Sequence, residues 1–231
     1  MRSVAIIQAR MGSNRLPGKV LSRLNGKPML TYLIERAQKS RLIEEIAVAT
    51  SEKAENDGIA SLCRELGVDC FRGSEHNVAS RFYTILKEKN SACFVRICAD
   101  SPLLDPILLD RAVTRLREKK CDLATNIFPR TFPAGQSVEA MQTRAFVDAF
   151  SDFTTPDDFE HVTRFFYRNA SRFAISNFKC EGDFSQVKFC IDTAADFNKM
   201  KALMKKMGKD HLNYGYKDLI RFWSMDSLKA A

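Results

Sequence analysis

VAIIQARMGSNRLPGK, residues 4 to 19, decides how the rest of the chain is read. Val4 to Ala9 is a short apolar run rich in Val and Ile, the composition of a buried strand. Arg10 to Lys19 follows at once, with Gly12, Ser13, Pro17 and Gly18 set among three cations, Arg10, Arg15 and Lys19. A tight turn with outward backbone amides cradles phosphate oxygens, while guanidinium forks and an ammonium neutralise a polyphosphate. The spacing matches neither GxxxxGK followed by Ser or Thr nor GxGxxG. A plain basic surface turn is the alternative.

Outward from this loop, strands and helices alternate. Pro28 suits the first turn of a helix whose Met29, Leu30, Leu33, Ile34 and Ala37 share one face. Strands are expected at Ile46–Thr50, Val68–Phe71 and Cys93–Cys98. Helices are expected from Asp57 to a stop at Gly67, over Val78–Lys89 and over Pro106–Lys119. Strand runs apolar on both faces, separated by amphipathic helices, predict a single α/β domain over residues 1–231 with a mostly parallel central sheet. Ligands collect at the carboxyl edge of such a sheet.

After Thr125 the rhythm loosens. Asn126 to Gln136 holds Pro129, Pro133 and Gly135 and predicts a loop; Ser137–Met141 predicts a short strand. Thr143 is expected to cap a helix through Phe150, and a helix is expected over Asp158–Asn169. Strands are expected at Phe173–Phe178 and Val187–Ile191, and Thr193 should cap a helix over Ala194–Lys206. Residues 126 to 185 read as an insertion on the main sheet.

Lys and Arg number 36 against 28 Asp and Glu, a net charge of +8, which favours anionic partners. Half of that excess lies in residues 201–231, where seven Lys and Arg face three Asp. The aromatic residues there suit helix packing as well as they suit base stacking, so no nucleic-acid partner is expected. No apolar stretch is long enough to span a membrane. Gln8 and Arg10 interrupt the opening before a signal-peptide core forms, so a cytoplasmic location is expected. The seven Cys form no CxxC pair and sit among apolar neighbours, as reduced core residues do.

Two carboxylates stand out. Asp100 follows the run Phe94–Cys98, and Asp192 follows Phe189-Cys190-Ile191, so both belong at the ligand-bearing edge. Brought together they repel unless a cation lies between them, and Mg²⁺ accepts carboxylate and phosphate oxygens while keeping waters. Either alone also reads as a helix N-cap. Asp196, four residues on, either supports the site or is a first-turn acid. Glu139 is a further candidate for contact with an acceptor or with metal-bound water. Ser13 and Ser51 lack a base-and-orienter arrangement, and three separated His make no metal triad.

Gln8 to Ser13 with Arg15 to Lys19 resembles the signature of the SpsF-type cytidylyltransferases of spore-coat and surface-polysaccharide synthesis, relatives of the enzymes that make CMP-activated 3-deoxy-manno-octulosonate and CMP-sialic acid. Val48–Ser51, Phe71–Ser74, Arg96-Ile97, Asp100 with Pro102-Leu103, Asp105-Pro106, Thr131–Gly135, Glu160–Thr163 and Ile191-Asp192 extend the likeness over about Val4 to Asp196. The resemblance implies a nucleotide-diphospho-sugar transferase fold and a homodimer formed through the insertion, which also binds acceptor. It implies Mg²⁺-dependent transfer of CMP from CTP to a hydroxyl of an acidic surface-polysaccharide sugar, with release of pyrophosphate. It further implies that Ala9, Arg10, Gly12, Ser13, Arg15 and Lys19 hold CTP, with Arg10 and Lys19 also acting in catalysis. Thr50 and Ser51 would close around the cytosine, Arg72 and Arg81 would lie near nucleotide or acceptor charge, Asp100 and Asp192 would carry the metal, and His161 would meet the acceptor.

Several positions depart from that pattern. Where the family commonly has RITGDCPL, this chain has Ala99 in place of Gly; GLDVE becomes Gly135-Gln136-Ser137-Val138-Glu139; REHVT has Phe159 for Arg. The triphosphate residues are kept and the acceptor side has drifted. Two other readings therefore stand beside CMP transfer: a nucleotidyltransferase using another nucleotide or a sugar phosphate, and a catalytically weak nucleotide-binding scaffold.

Overall fold

The computed structural model describes residues 2–208 and 210–229, so Lys209 and residues 230–231 of the basic tail lie outside it. In chain order the strands and helices are β1 (Ser3–Gln8), β2 (Arg23–Leu24), β3 (Lys27–Pro28), α1 (Met29–Ala37), β4 (Glu45–Ser51), α2 (Asp57–Glu65), β5 (Asp69–Gly73), α3 (Val78–Lys89) and β6 (Cys93–Cys98). There follow α4 (Pro106–Lys119), β7 (Leu123–Thr125), β8 (Glu139–Gln142), α5 (Thr143–Ala149), α6 (Pro156–Glu160), α7 (Arg164–Arg168), β9 (Ile175–Asn177), α8 (Ala194–Lys206) and α9 (Tyr216–Lys229). Short 3₁₀ turns join several of them.

Seven strands form one sheet in the order β5-β4-β1-β6-β8-β7-β9. β1, β4, β5 and β6 are parallel, β8 runs antiparallel to β6 and β7, and β9 is parallel to β7. Strand order grows from β1 through β4 to β5 on one side and jumps to β6 on the other. The crevice outside the carboxyl ends of β1 and β6 is therefore the switch point where α/β sheets bind ligands. Alternation along each strand feeds two cores. Ala5, Ile7, Val48, Val95 and Ile97 face α1, α2 and α4, whereas Val4, Ile6, Ala47, Ala49 and Phe94 face α3 and a phenylalanine cluster. That cluster, built on Phe146, Phe153, Phe165 and Phe166, anchors the segment after β8.

Several local expectations are corrected. The helix expected over Asp158–Asn169 is two: α6 opens with a Thr155–Asp158 capping box and Pro156, then ends at Glu160, and α7 begins at Arg164. Between them the chain leaves helical geometry at His161, so that Val162, Phe165 and Phe166 all bury against the second core. Val187–Ile191 is no strand. It makes a single bridge, Ala134 to Lys188, because Gly135 (φ 94°) turns its partner segment away. Thr143 opens α5 as its first helical residue, and Gln142 is the cap. Within 126–185, β8 and β9 enter the main sheet. Among the described residues the non-glycine positions with positive φ are Asn25, Asn90 and Lys120, so Ala99 bears no left-handed strain. Phe159 packs on Phe150 and Phe153, which gives the aromatic replacement an apolar partner.

Candidate functional site

Lys19, at the end of the glycine loop, joins the three chain segments of the crevice. Its ammonium donates to the Ile191 carbonyl at 2.6 Å and to Asp192 Oδ1 at 3.3 Å, and lies 3.8 Å from Asp100 Oδ2. The Ile191 N–H donates to the Asp100 carbonyl at 2.9 Å, which locks the two aspartate-bearing segments side by side. Gly135 makes this junction possible: a Cβ there would stand 2.6 Å from the Cys190 nitrogen and the Phe189 carbonyl carbon. Neither aspartate is a helix cap, since Asp105 caps α4 and Thr193 caps α8.

Asp192 also meets Arg15 at 3.1 Å and Lys188 at 3.0 Å. Burial alone would raise its carboxyl, but Lys188 and Lys19 outweigh burial and hold it below the usual carboxylate range. Asp196 is the first-turn acid of the two readings. Its carboxylate accepts from the backbone N–H groups of Asp192 and Thr193 and pairs with Lys188 at 2.7 Å. Burial opposes ionisation there too, yet these donors bring it down to about 2. Asp196 thus fixes the backbone that carries Asp192.

The loop itself is closed by Ser13 N–H and Gly18 N–H, both donating to the Met11 carbonyl, with Gly18 at φ 70° where the chain turns into Lys19. Asn56 ties it to β4, accepting from Met11 N–H at 2.9 Å and donating to Ser51 Oγ at 2.7 Å. No sequence signal marked this buried asparagine. Ala9 is buried and donates its N–H to Ala49 O. Gly12 stands where a Cβ would meet Glu55 Oε1 at 3.2 Å and Glu75 Oε1 at 3.7 Å. Thr50 is fully buried and its Oγ1 has no hydrogen-bond partner among the described residues.

Across the crevice, Arg10 pairs with Glu160 at 2.7 Å. Arg81 is 2% exposed and directs Nη1 at Ala49 O; its Nε has no hydrogen-bond partner among the described residues, while the charges of Glu75, Arg10 and Glu160 bear on it. Arg72 is brought elsewhere. It donates to the Ser51, Glu52 and Lys53 carbonyls and pairs with Asp57, bracing the turn after β4, and among the described residues it makes no hydrogen bond or ion pair to loop 10–19. Glu139 is equally committed. Only 3% of its side chain is exposed, and it accepts from Arg96 at 2.5 Å and from the Tyr167 hydroxyl at 2.7 Å. Arg96 in turn donates to Gln8. Glu139 therefore anchors a buried polar network under the crevice. His161 is half exposed, 3.8 Å from Asp157, at the break between α6 and α7.

The two cysteines beside the aspartates are poor thiolates. Burial pushes Cys98 up to about 11, against the pull of Arg96, and burial with the Asp100 and Asp192 charges pushes Cys190 up to about 12. All seven cysteines are free thiols. Among the described residues no group of three or more His, Cys, Asp or Glu is placed to hold a metal ion. Two aspartates meeting on one cation do fit Mg²⁺, which takes one or two protein carboxylates and fills its shell with phosphate and water. They do not fit a caged structural zinc.

The family model described as cytidylyltransferase matches residues 4–219. The spore coat polysaccharide biosynthesis protein SpsF of Bacillus subtilis is 30% identical over 211 residues, covering 88% of this chain and 87% of that protein. The structure of a cytidylyltransferase from Leptospira borgpetersenii superposes with a TM-score of 0.94 at 29% identity, over 98% of this chain and 95% of that one. A CMP:2-keto-3-deoxy-manno-octonic acid synthetase solved with CTP shares the fold, with a TM-score of 0.69 at 19% identity, over 90% of this chain and all of that one. No helix among the described residues is long and apolar enough to cross a membrane.

Proposed function

The chain belongs to the cytidylyltransferase family, and on that premise we propose that it transfers CMP from CTP to a hydroxyl of an acidic surface-polysaccharide sugar and releases pyrophosphate. The observation that carries this reading is the meeting of Asp100, Asp192 and Lys19 directly beneath the glycine loop. Asp100 and Asp192 would hold Mg²⁺, which when bound supplies positive charge against the phosphate oxygens.

In this reading the loop amides, Arg10, Arg15 and Lys19 grip the triphosphate, while Asn56 and Ser51 keep the loop docked on β4. The acceptor hydroxyl oxygen forms its bond to the α-phosphorus as the bond from that phosphorus to the bridging oxygen of the β-phosphate breaks, the hydroxyl proton passes to solvent water, and the cations balance charge on the departing pyrophosphate. Burial disfavours the thiolates of Cys98 and Cys190, and direct attack by the acceptor needs no covalent enzyme intermediate. A pyrophosphate-release screen with the common nucleoside triphosphates against a panel of acidic sugars, with and without Mg²⁺, tests donor and acceptor together. Preference for another nucleotide, or no release with any pair, rejects the assignment. Residues 126–185 are proposed to form a homodimer interface, and sedimentation showing only monomer over a wide concentration range rejects that.

A further inference from the structure

Arg10 belongs to the phosphate loop, yet its guanidinium faces a carboxylate from the far side of the crevice. Arg10 Nη2 lies 2.7 Å from Glu160 Oε1 and Nη1 3.4 Å from Oε2, a fork-to-fork pairing like the one a guanidinium offers a phosphate. Around it, Lys53, Arg10 and Arg81 act on Glu75, while Glu75, Arg10 and Glu160 act on Arg81. Arg81 is fixed by burial and by Ala49 O, and Glu75 has one carboxylate oxygen fully buried. Unlike Arg81 and the buried oxygen of Glu75, Glu160 is not pinned by burial. It is the last residue of the five-residue α6, 32% of its side chain is exposed, and the chain leaves the helix at the next residue. An incoming triphosphate adds several negative charges beside Arg10, and a carboxylate at 2.7 Å cannot keep its place without strong repulsion.

We propose that Glu160 is a positioning residue. It holds the Arg10 fork in place of a phosphate while the crevice is empty and yields it when nucleotide arrives, so that nucleotide binding detaches the carboxyl end of α6 from the phosphate loop. This rests on the CMP-transfer reading, and it adds that part of the binding energy of the triphosphate is spent on opening the 160–163 break. Removing the competing carboxylate then strengthens nucleotide binding, the opposite of what loss of a structural contact does.

The test is titration calorimetry of Glu160→Gln with CTP and separately with inorganic pyrophosphate, which probes the Arg10 contact without the base. For a pair this exposed, both ligands should bind about fivefold tighter than to the unaltered chain. Glu160→Asp, which keeps the charge, should bring the affinity back toward the original, and in an Arg10→Ala background Glu160→Gln should change nothing. Amide hydrogen exchange at 161–164 should rise when pyrophosphate is added to the unaltered chain, and should already be raised in Glu160→Gln without ligand. Unchanged or weaker binding by Glu160→Gln overturns the proposal, as does the same gain in the Arg10→Ala background. If pyrophosphate binds and tightens as stated but CTP is not the preferred nucleotide, the base assignment fails and the role of Glu160 stands; if pyrophosphate does not bind the unaltered chain, both fail.

Discussion

Replacing Lys19 with Met keeps the apolar stem and removes the charge that holds Asp100 and Asp192 together. The ammonium is 12% exposed and lies 3.3 and 3.8 Å from the two carboxylates, which are 21% and 29% exposed. At an effective dielectric constant near 20 each attraction is worth about 4 to 5 kcal/mol before desolvation. Much of that offsets the cost of withdrawing the three charges from water. What is lost outright is a 2.6 Å charge-assisted bond to the Ile191 carbonyl, together with the neutralisation of Asp100, for which no other cationic partner is found among the described residues. A net loss of about 2 kcal/mol follows, which for a chain of 231 residues lowers Tm by roughly 6 °C.

Mg²⁺ should restore part of this stability, and more in Lys19→Met than in the unaltered chain, because there the ion no longer competes with an ammonium for the same carboxylates. CTP affinity should fall about tenfold through loss of a phosphate contact. Differential scanning calorimetry across a Mg²⁺ titration, paired with CTP binding, reads all three effects. An unchanged Tm, or equal Mg²⁺ stabilisation of both proteins, would refute the idea that Lys19 and the metal share one pair of carboxylates.

Asp100→Asn and Asp192→Asn should each lower pyrophosphate release by at least about tenfold with little change in circular dichroism, and the double variant should lose less than the product of the two; full activity in either single variant discards the two-aspartate site. Asp196 titrates at about 2 in the folded chain against an ordinary 3.8, so its contribution is complete above about pH 4 and is lost as pH falls toward 2. That shift corresponds to about 2 kcal/mol. The acid limb of stability against pH should therefore be shallower in Asp196→Asn, and coincident limbs in urea melts at pH 2 to 4 would contradict it.

The alternation of apolar runs and amphipathic helices was enough to establish the parallel part of the sheet, because both periodicities are local, set by residues two, three or four apart on one element. It also put Arg10, Lys19 and Asp100 in loops that follow β1 and β6, hence at one edge, whereas the run before Asp192 is no strand and reaches that edge through the Ile191 contact with Asp100. The pattern failed where burial is decided by distant partners. β8 enters the sheet antiparallel between β6 and β7, and nothing in Glu139–Gln142 specifies direction. His161 to Thr163 break a helix because the phenylalanine cluster claims Val162, Phe165 and Phe166 from one side.

Partner choice was the part that only tertiary structure decided. A charged side chain is long, and its spacing in sequence does not say which of several opposite charges it will reach. Arg15, Lys19 and Lys188 converge on Asp192, Arg72 turns away to three carbonyls, Glu139 is spent on Arg96 and Tyr167, and Arg10 crosses to Glu160. The chemical types needed for gripping a triphosphate were visible in residues 10 to 19, because that loop is contiguous. The side-by-side placement of Asp100 and Asp192 depends on the 2.9 Å hydrogen bond from the Ile191 N–H to the Asp100 carbonyl, a contact between segments about ninety residues apart that no local pattern encodes.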